Sequence, residues 1–237
     1  MAEWKTRRFW REAGIAPVAG GFEVRLDGRP VRTPAKAPLV LPSSALAAAI
    51  AADWDAQSEA VKPLTMPLTR LANSAADTVA ANRAAVAELV AAYGGTDLVC
   101  YRAEAPAALA ERQASGWDPL VDWAAVTLGA PLRVGYGVVH IAQPEASLAA
   151  LSRHVAAMDH WDLTALHELV ALSGSLVIGL AAIRSDRPRA ALWAASRIDE
   201  DWQQDVWGYD EEAAEMAAFR AQGFHDAARF FDLRHRT

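Results

Sequence analysis

The chain has 237 residues, of which 53% are hydrophobic and 22% are charged, and this balance excludes an intrinsically disordered protein. Its 29 acidic and 23 basic residues give a net charge of -6, so it lacks the overall positive charge that favours binding to nucleic acids. A single cysteine, Cys100, excludes an internal disulfide and a zinc site built from several cysteines.

The N-terminal part of the chain predicts a small antiparallel β unit. Residues 22–26 alternate apolar and polar side chains, which is the period of a half-buried strand. Asp27 and Gly28 then provide a hairpin turn, because glycine adopts positive φ without strain. Residues 31–33 are a candidate for the return strand, and the apolar residues 39–41, which lie between two prolines, are a candidate for another extended segment.

Helices are predicted for the rest of the chain. Their expected ranges are 45–57, 68–93, 107–114, 119–128, 145–158, 161–183, 188–206 and 210–232. Prolines at 63 and 67 mark a seam between the two parts. We therefore predict an α+β protein with a small N-terminal antiparallel β-containing domain, residues 1–66, and a larger all-helical domain, residues 67–237.

One apolar segment needs to be considered as a membrane span. Residues 163–183 are long enough to cross a bilayer, but Glu168 would be costly in hydrocarbon. We interpret this segment as a single helix buried among other helices, and we expect no membrane insertion.

No motif predicts a metal site or a catalytic centre. His167 and Glu168 resemble the start of a zinc-protease motif, but position 171 is Ala where that motif needs a second His. Cys100 stands among apolar residues, which raise the pKa of a thiol rather than activate it. We therefore expect neither a metal nor a cofactor.

Charge is distributed unevenly along the chain. Eight cationic residues stand between Lys5 and Lys36, whereas residues 199–215 contain eight acids and neither Lys nor Arg. A solvated face would explain the acids, but the acidic stretch also contains Trp202, Trp207 and Tyr209. Aromatic rings among charges are typical of protein-binding surfaces, where rings supply buried area and charges supply specificity.

The predicted helix 188–206 has two faces. One stripe at helical spacing would face the core, and it consists of Ala191, Ala195, Ile198, Trp202 and Val206. Glu200 projects about 200° away from Ile198 around the helix, and on its side lie Trp193, Ser196, Gln204 and Trp207. We predict that this second face binds a partner protein, with contacts from Trp193, Glu200, Gln204, Trp207 and Asp210.

Six stretches of the sequence occur in the order seen in one family. They are residues 26–34 (LDGRPVRTP), 53–57 (DWDAQ), 66–69 (MPLT), 97–102 (DLVCYR), 113–119 (QASGWDP) and 199–208 (DEDWQQDVWG). With these the chain resembles the F1-ATPase assembly chaperones that bind the α subunit of ATP synthase. The stretches extend over nearly the whole chain, and we identify it as an alphaproteobacterial member.

This resemblance implies a function without catalysis, metal or nucleotide. The F1 α subunit would be the partner, held and protected from aggregation until a β subunit replaces the chaperone. The resemblance also implies a functional role for the acid aligned at Glu200, and a role in stability or in contact for Trp54. Mitochondrial members carry a presequence and this N-terminus shows none, so we expect a bacterial, cytoplasmic protein, and we expect it to be a monomer.

Two alternatives remain open at this stage. The first is a small-molecule enzyme with a cleft between the domains, lined by carboxylates such as Asp97, Glu168 and Glu200. The second is a protein whose basic N-terminal unit pairs with its own acidic segment, so that no partner uses either surface.

Overall fold

The computed structural model describes residues 7–236, which form five short strands and ten α-helices. The strands are β1 Ala13–Val18, β2 Gly21–Leu26, β3 Arg29–Pro30, β4 Tyr101–Arg102 and β5 Gly135–Tyr136. The first five helices are α1 Ser44–Asp55, α2 Pro67–Ser74, α3 Ala80–Ala92, α4 Ala107–Thr127 and α5 Glu145–Ala156. The remaining helices are α6 His160–Ser173, α7 Leu176–Arg184, α8 Arg189–Ala195, α9 Ile198–Trp207 and α10 Glu211–His235.

The described chain divides into two compact units. Unit 1 holds residues 7–83, 160–165 and 226–236, and unit 2 holds residues 84–159 and 166–225. The predicted α+β class is confirmed, since a small antiparallel sheet at the N-terminal end is followed by a mostly helical chain. The domain boundary between residues 66 and 67 stays a prediction.

Unit 1 is built on the sheet β1-β2-β3, in which both pairs of strands are antiparallel. The predicted turn at Asp27 and Gly28 is present, and both residues have positive φ, as this tight hairpin turn requires. The Asp27 carboxylate accepts hydrogen bonds from the backbone amides of Glu12 and Arg11, and these bonds lower its pKa. The hairpin is thereby fixed to the chain that leads into β1.

The core of unit 1 lies between this sheet and α1. Leu46 and Ile50 of α1 have no solvent exposure and share a hydrophobic cluster with Val24 and Leu26 of β2. Ser43 caps α1, because its Oγ accepts a hydrogen bond from the amide of Leu46 at 3.1 Å.

Two errors in the predicted helices each concern a single residue, Pro119 in one and Gly174 in the other. Residues 107–127 form a single helix with Pro119 inside it, not two helices separated before Pro119. The helix continues because Trp117 and Leu120 are both buried, and this packing offsets the hydrogen bond that proline cannot donate.

The predicted helix 161–183 is in fact two helices. Gly174 has a φ of +70°, which ends α6, and the Oγ of Ser175 accepts a hydrogen bond from the amide of Ile178 at 3.0 Å to begin α7. Within residues 7–236, the structure contains no helix with the length and apolar character needed to span a bilayer.

Candidate partner-binding surface

The segment on which the binding prediction depends is not one helix. Helix α8 ends at Ala195, the Ser196 hydroxyl donates to the carbonyl of Trp193 at 2.7 Å, and Arg197 has non-helical angles before α9 begins. The single stripe predicted over residues 188–206 is therefore wrong. Ala191 and Val206, which we expected to be inside, are exposed, and Ser196, which we expected on the outer face, is buried. Leu192 and Ile198 are the buried apolar residues of this segment, and only Ile198 belongs to the predicted stripe.

Helix α4 fixes the start of α9 in unit 2. The indole of Trp117 donates to the carbonyl of Ala195 at 2.7 Å, and the Gln113 amide donates to the Asp199 carboxylate at 2.6 Å. The backbone at Gly116 also lies against α9, because a methyl group at this position would overlap the Cδ1 atom of Ile198. The turn between α8 and α9 is thus held at three neighbouring points of α4.

Arg102, a buried residue of the stretch 97–102, contacts the part of α4 that holds the α8–α9 turn. The Arg102 guanidinium is 2% exposed, pairs with Asp118 at 2.6 Å and lies over the ring of Trp117 at 5.1 Å. It also donates to the carbonyls of Val99 and Tyr101. Sequence reasoning noted these motifs but gave them no role. The structure shows that they position the α8–α9 turn.

Glu200 and Trp193 take part in one chain of contacts. Glu200 pairs with Arg197 at 2.6 Å, and the Arg197 guanidinium lies 5.9 Å from the ring of Trp193. The Trp193 ring in turn contacts Phe224, whose side chain is fully buried. Trp193 is half-buried, so it links the surface acid to the interior of unit 2.

The other three predicted contact residues lie further along the chain. Gln204 is half-buried, and Trp207 at the end of α9 is 80% exposed. Asp210 is exposed, and its carboxylate accepts a hydrogen bond from the amide of Ala213 at 3.0 Å, which caps the start of α10. Tyr209, which lies between Trp207 and Asp210 in the sequence, is 75% exposed.

A groove of about 360 Å³ lies beside the start of α9. Its walls carry the carboxylates of Asp199 and Glu200 together with the side chains of Gln203, Arg197 and Arg220. Mixed charges of this kind can bind a charged side chain of another protein and discriminate between partners.

The carboxylates proposed for an enzyme have different environments. Asp97 has no solvent exposure, and its oxygens accept hydrogen bonds from the amides of Val99 and Val177. Burial raises the pKa of Asp97 to about 6, and burial raises the pKa of the Cys100 thiol to about 12. Neither group has any solvent exposure. Over residues 7–236, no cluster of three or more His, Cys, Asp or Glu side chains could hold a metal ion.

Trp54 belongs to a compact polar and aromatic network in unit 1. Its ring meets that of Trp10 edge to face at 5.3 Å. Next to it, the Asp53 carboxylate accepts from the amide and hydroxyl of Thr69, and burial raises the pKa of this carboxyl. The Gln57 amide donates to the carbonyl of Asp53 and accepts from the amide of Lys62.

The basic N-terminal residues have partners within unit 1. Arg8 donates to four backbone carbonyls and pairs with Asp55 at 2.9 Å. Arg25 pairs with Glu23, and Arg32 donates to the carbonyl of Lys36. Lys5, the first residue of this basic stretch, lies outside the described residues.

Sequence reasoning missed two exposed apolar residues of α10. Met216 is 58% exposed and Phe219 is 60% exposed. Their spacing of three residues places them on one side of a helix, and they follow the acidic residues directly. That signal was present, but we considered only the acids of this segment.

Comparison with known proteins identifies the family. Residues 7–125 match the family described as ATP12 chaperone protein. The chain is 52% identical to the crystallised Atp12 of Paracoccus denitrificans, covering 98% of this chain and 100% of that one with a TM-score of 0.94. A lysine-for-aspartate mutant of the Paracoccus protein is 51% identical, covers 99% and 100% of the two chains, and gives the same TM-score.

A further match comes from another bacterium. A protein of Agrobacterium tumefaciens is 41% identical, covering 95% of this chain and 85% of that one, with a TM-score of 0.92. The sequence match and the structural matches agree with the resemblance found in the six ordered stretches. The chain therefore belongs to the ATP12 family of chaperones, which that resemblance connects with the assembly of ATP synthase.

Proposed function

We propose that this protein holds the unassembled α subunit of F1-ATP synthase and prevents its aggregation until a β subunit takes its place. The observation that carries the proposal is the exposed aromatic and acidic surface of α9 and the following turn, on a chain of the ATP12 chaperone family. The exposed acidic and aromatic residues of this surface are Asp205, Trp207, Tyr209 and Asp210.

The chemistry of this surface suits a temporary partner. A subunit that will join a ring exposes an apolar interface before assembly, and such surfaces aggregate. A chaperone must cover that surface and later leave it. A few exposed aromatics among charges provide specific but reversible binding, unlike the apolar interface of a permanent complex.

We assign different roles to the residues predicted to contact the partner. Trp207, Gln204 and Asp210 contact the α subunit directly. Glu200 offers a carboxylate to a cationic side chain of the subunit, while its pairing with Arg197 keeps the carboxylate in place over the groove. The ring of Trp193 packs against the Arg197 guanidinium and holds it in position. Trp54 stabilises unit 1 and does not contact the partner.

We also propose an oligomeric state, a location and a cofactor requirement for this chaperone. The chaperone acts as a monomer in the bacterial cytoplasm. Binding needs no cofactor, metal or nucleic acid on the chaperone, and it involves no catalysis.

Co-expression with the isolated F1 α subunit tests this proposal. The native chaperone should co-purify with the subunit and keep it soluble. Glu200→Lys should reduce the yield of complex at least about tenfold, because it places a cation where a cationic side chain has to bind. Glu88→Lys, a charge reversal on the exposed face of α3, is the matched control and should leave the yield unchanged.

A second variant separates the negative charge of Glu200 from its capacity to accept a hydrogen bond. Glu200→Gln removes the charge but retains a hydrogen-bond acceptor, so it should weaken the complex less than Glu200→Lys does. If the native chaperone forms no complex with the α subunit, the proposed function is wrong. If both Glu200 variants bind as the native chaperone does, the role assigned to Glu200 is wrong.

A further inference from the structure

The first three turns of α10 expose apolar side chains that unit 2 does not cover. Ala214, Ala217 and Ala221 are half-buried and form the side of the helix that faces its own unit. Phe219 projects about 170° away from the mean direction of that side, and Met216 lies about 60° from Phe219 on the same exposed half. This geometry explains why both side chains are more than half exposed.

Each of these apolar side chains has an acid one helical turn before it. Glu212 is four residues before Met216 and Glu215 is four residues before Phe219, and both acids are exposed. Residues four apart are neighbours on a helix surface. The exposed face of α10 therefore presents two pairs, each made of one carboxylate and one large apolar group.

Helix stability alone does not explain this face. Acids in the first turn interact favourably with the partial positive charge of a helix N-terminus, so Glu211 and Glu212 have a reason to be there without any partner. That reason does not apply to an exposed methionine and phenylalanine. Such residues cost solubility when they are left in water and gain free energy when another protein covers them.

Charge complementarity indicates the chemistry of the occupant. Residues 210–219 contain Asp210, Glu211, Glu212 and Glu215 and neither Lys nor Arg. A partner segment that covers Met216 and Phe219 must approach this negative potential, which favours cationic side chains and disfavours acidic ones. A helix in the partner meets both requirements when it has an apolar stripe flanked by Lys or Arg.

We propose that the Glu212, Glu215, Met216 and Phe219 face of α10 docks a basic amphipathic helix of the F1 α subunit. This inference rests on the proposed function, and it names the part of the client that the chaperone recognises. The exposed Tyr209 lies between Trp207 and this face along the chain, and we expect the client to contact α9 and α10 together.

The test uses the full-length chaperone and the isolated α subunit, with equilibrium dissociation constants measured at low and physiological salt. Met216→Gln combined with Phe219→Gln should weaken binding at least about tenfold at both salt concentrations, because it removes the apolar anchors. Gln is a good helix former, so α10 should remain intact. Val126→Gln, at an 86% exposed site on α4, is the matched control and should bind within about twofold of the native chaperone.

Charge reversal on α10 tests whether the docked helix of the α subunit is basic. Glu212→Lys combined with Glu215→Lys should also weaken binding at least about tenfold at low salt, and the loss should shrink at higher salt because screening reduces repulsion. Glu88→Lys is again the control. An unchanged dissociation constant for this charge variant would contradict the basic character of the docked helix.

Three further outcomes would overturn the assignment of this face. If Met216→Gln with Phe219→Gln binds like the native chaperone while Glu200→Lys does not, the α10 inference is overturned and the proposed function stands. If the native chaperone does not bind the α subunit, the α10 inference and the proposed function are both overturned. If sedimentation shows that the native chaperone self-associates and the α10 variant does not, this face is an interface between two copies, and the inference is wrong.

Discussion

Two stretches of this chain begin with the same dipeptide and have opposite environments. Residues 53–57 (DWDAQ) and residues 201–207 (DWQQDVW) both combine acids, glutamine and tryptophan. In the first, Asp53 and Gln57 are hydrogen-bonded within unit 1 and the Trp54 ring packs on Trp10. In the second, Asp205, Val206 and Trp207 are exposed, whereas Asp201, Trp202 and Gln204 are half-buried.

The difference shows that composition alone does not separate a structural motif from a binding motif. Both stretches read as charged and aromatic, and both belong to the six that carry the family resemblance. What separates them is how many hydrogen-bond partners and ring contacts the neighbouring segments supply. Residues 53–57 have partners from Arg8 to Thr69, whereas in residues 201–207 Asp205 pairs with Arg112 of α4 at 2.7 Å and Trp207 remains exposed.

Replacing one tryptophan in each stretch should give the largest difference between them. Trp54→Ala should lower the free energy of unfolding by about 2 to 3 kcal/mol, because it leaves a cavity beside Trp10. Trp207→Ala should change it by less than about 0.5 kcal/mol, since this ring is in water. Chemical denaturation measures both values. Equal losses would contradict the division into a structural and an exposed stretch.

A buried acid should respond to pH in a way that exposed acids do not. Burial raises the pKa of Asp97 from 3.8 to about 6, so the protonated form is favoured in the folded state. Its contribution to stability is fully present below pH 3.8 and is lost as the pH rises through about 6.

Asp97→Asn isolates this contribution, because asparagine does not titrate. The free energy of unfolding of the native protein minus that of the variant should fall by about 2 kcal/mol between about pH 4 and pH 7. Denaturation at both pH values measures the change. A difference that is constant with pH would show that folding does not raise the pKa of Asp97.

Replacing one glutamine in each stretch should give a smaller contrast of the same kind. Gln57→Ala should cost about 1 to 2 kcal/mol, because it leaves the amide of Lys62 without the acceptor that Gln57 provides. Gln204→Ala should change stability by less than about 0.5 kcal/mol and should instead weaken binding of the α subunit. A large stability loss for Gln204→Ala would place Gln204 with the structural residues.

Local signals were sufficient for much of the fold. The alternation in residues 22–26 and the Asp27 and Gly28 turn each depend on neighbours in sequence, and each was predicted correctly. The errors arose where a tertiary contact decided the outcome. Packing of Trp117 and Leu120 keeps α4 helical through Pro119, and no local pattern contains that information.

The candidate surface was predictable only in part. The acids and aromatics of residues 199–209 are visible in the sequence, and Trp207 is exposed as a partner-binding residue should be. The break at Ser196 and the anchoring of α9 by Trp117 and Gln113 could not be foreseen, because these bonds join residues about 80 positions apart. The pairing of Glu200 with Arg197 was within reach, since i and i+3 residues are neighbours on a helix.

Site-specific photo-crosslinking can detect whether the end of α9 and the exposed face of α10 contact the α subunit. A photo-reactive amino acid would be placed at position 207 or 219, and, as controls of comparable exposure, at position 89 or 126. Each chaperone would be irradiated with the isolated α subunit. We expect crosslinks to the subunit from positions 207 and 219 and none from 89 and 126. Crosslinks from the control positions, with none from 207, would contradict this expectation.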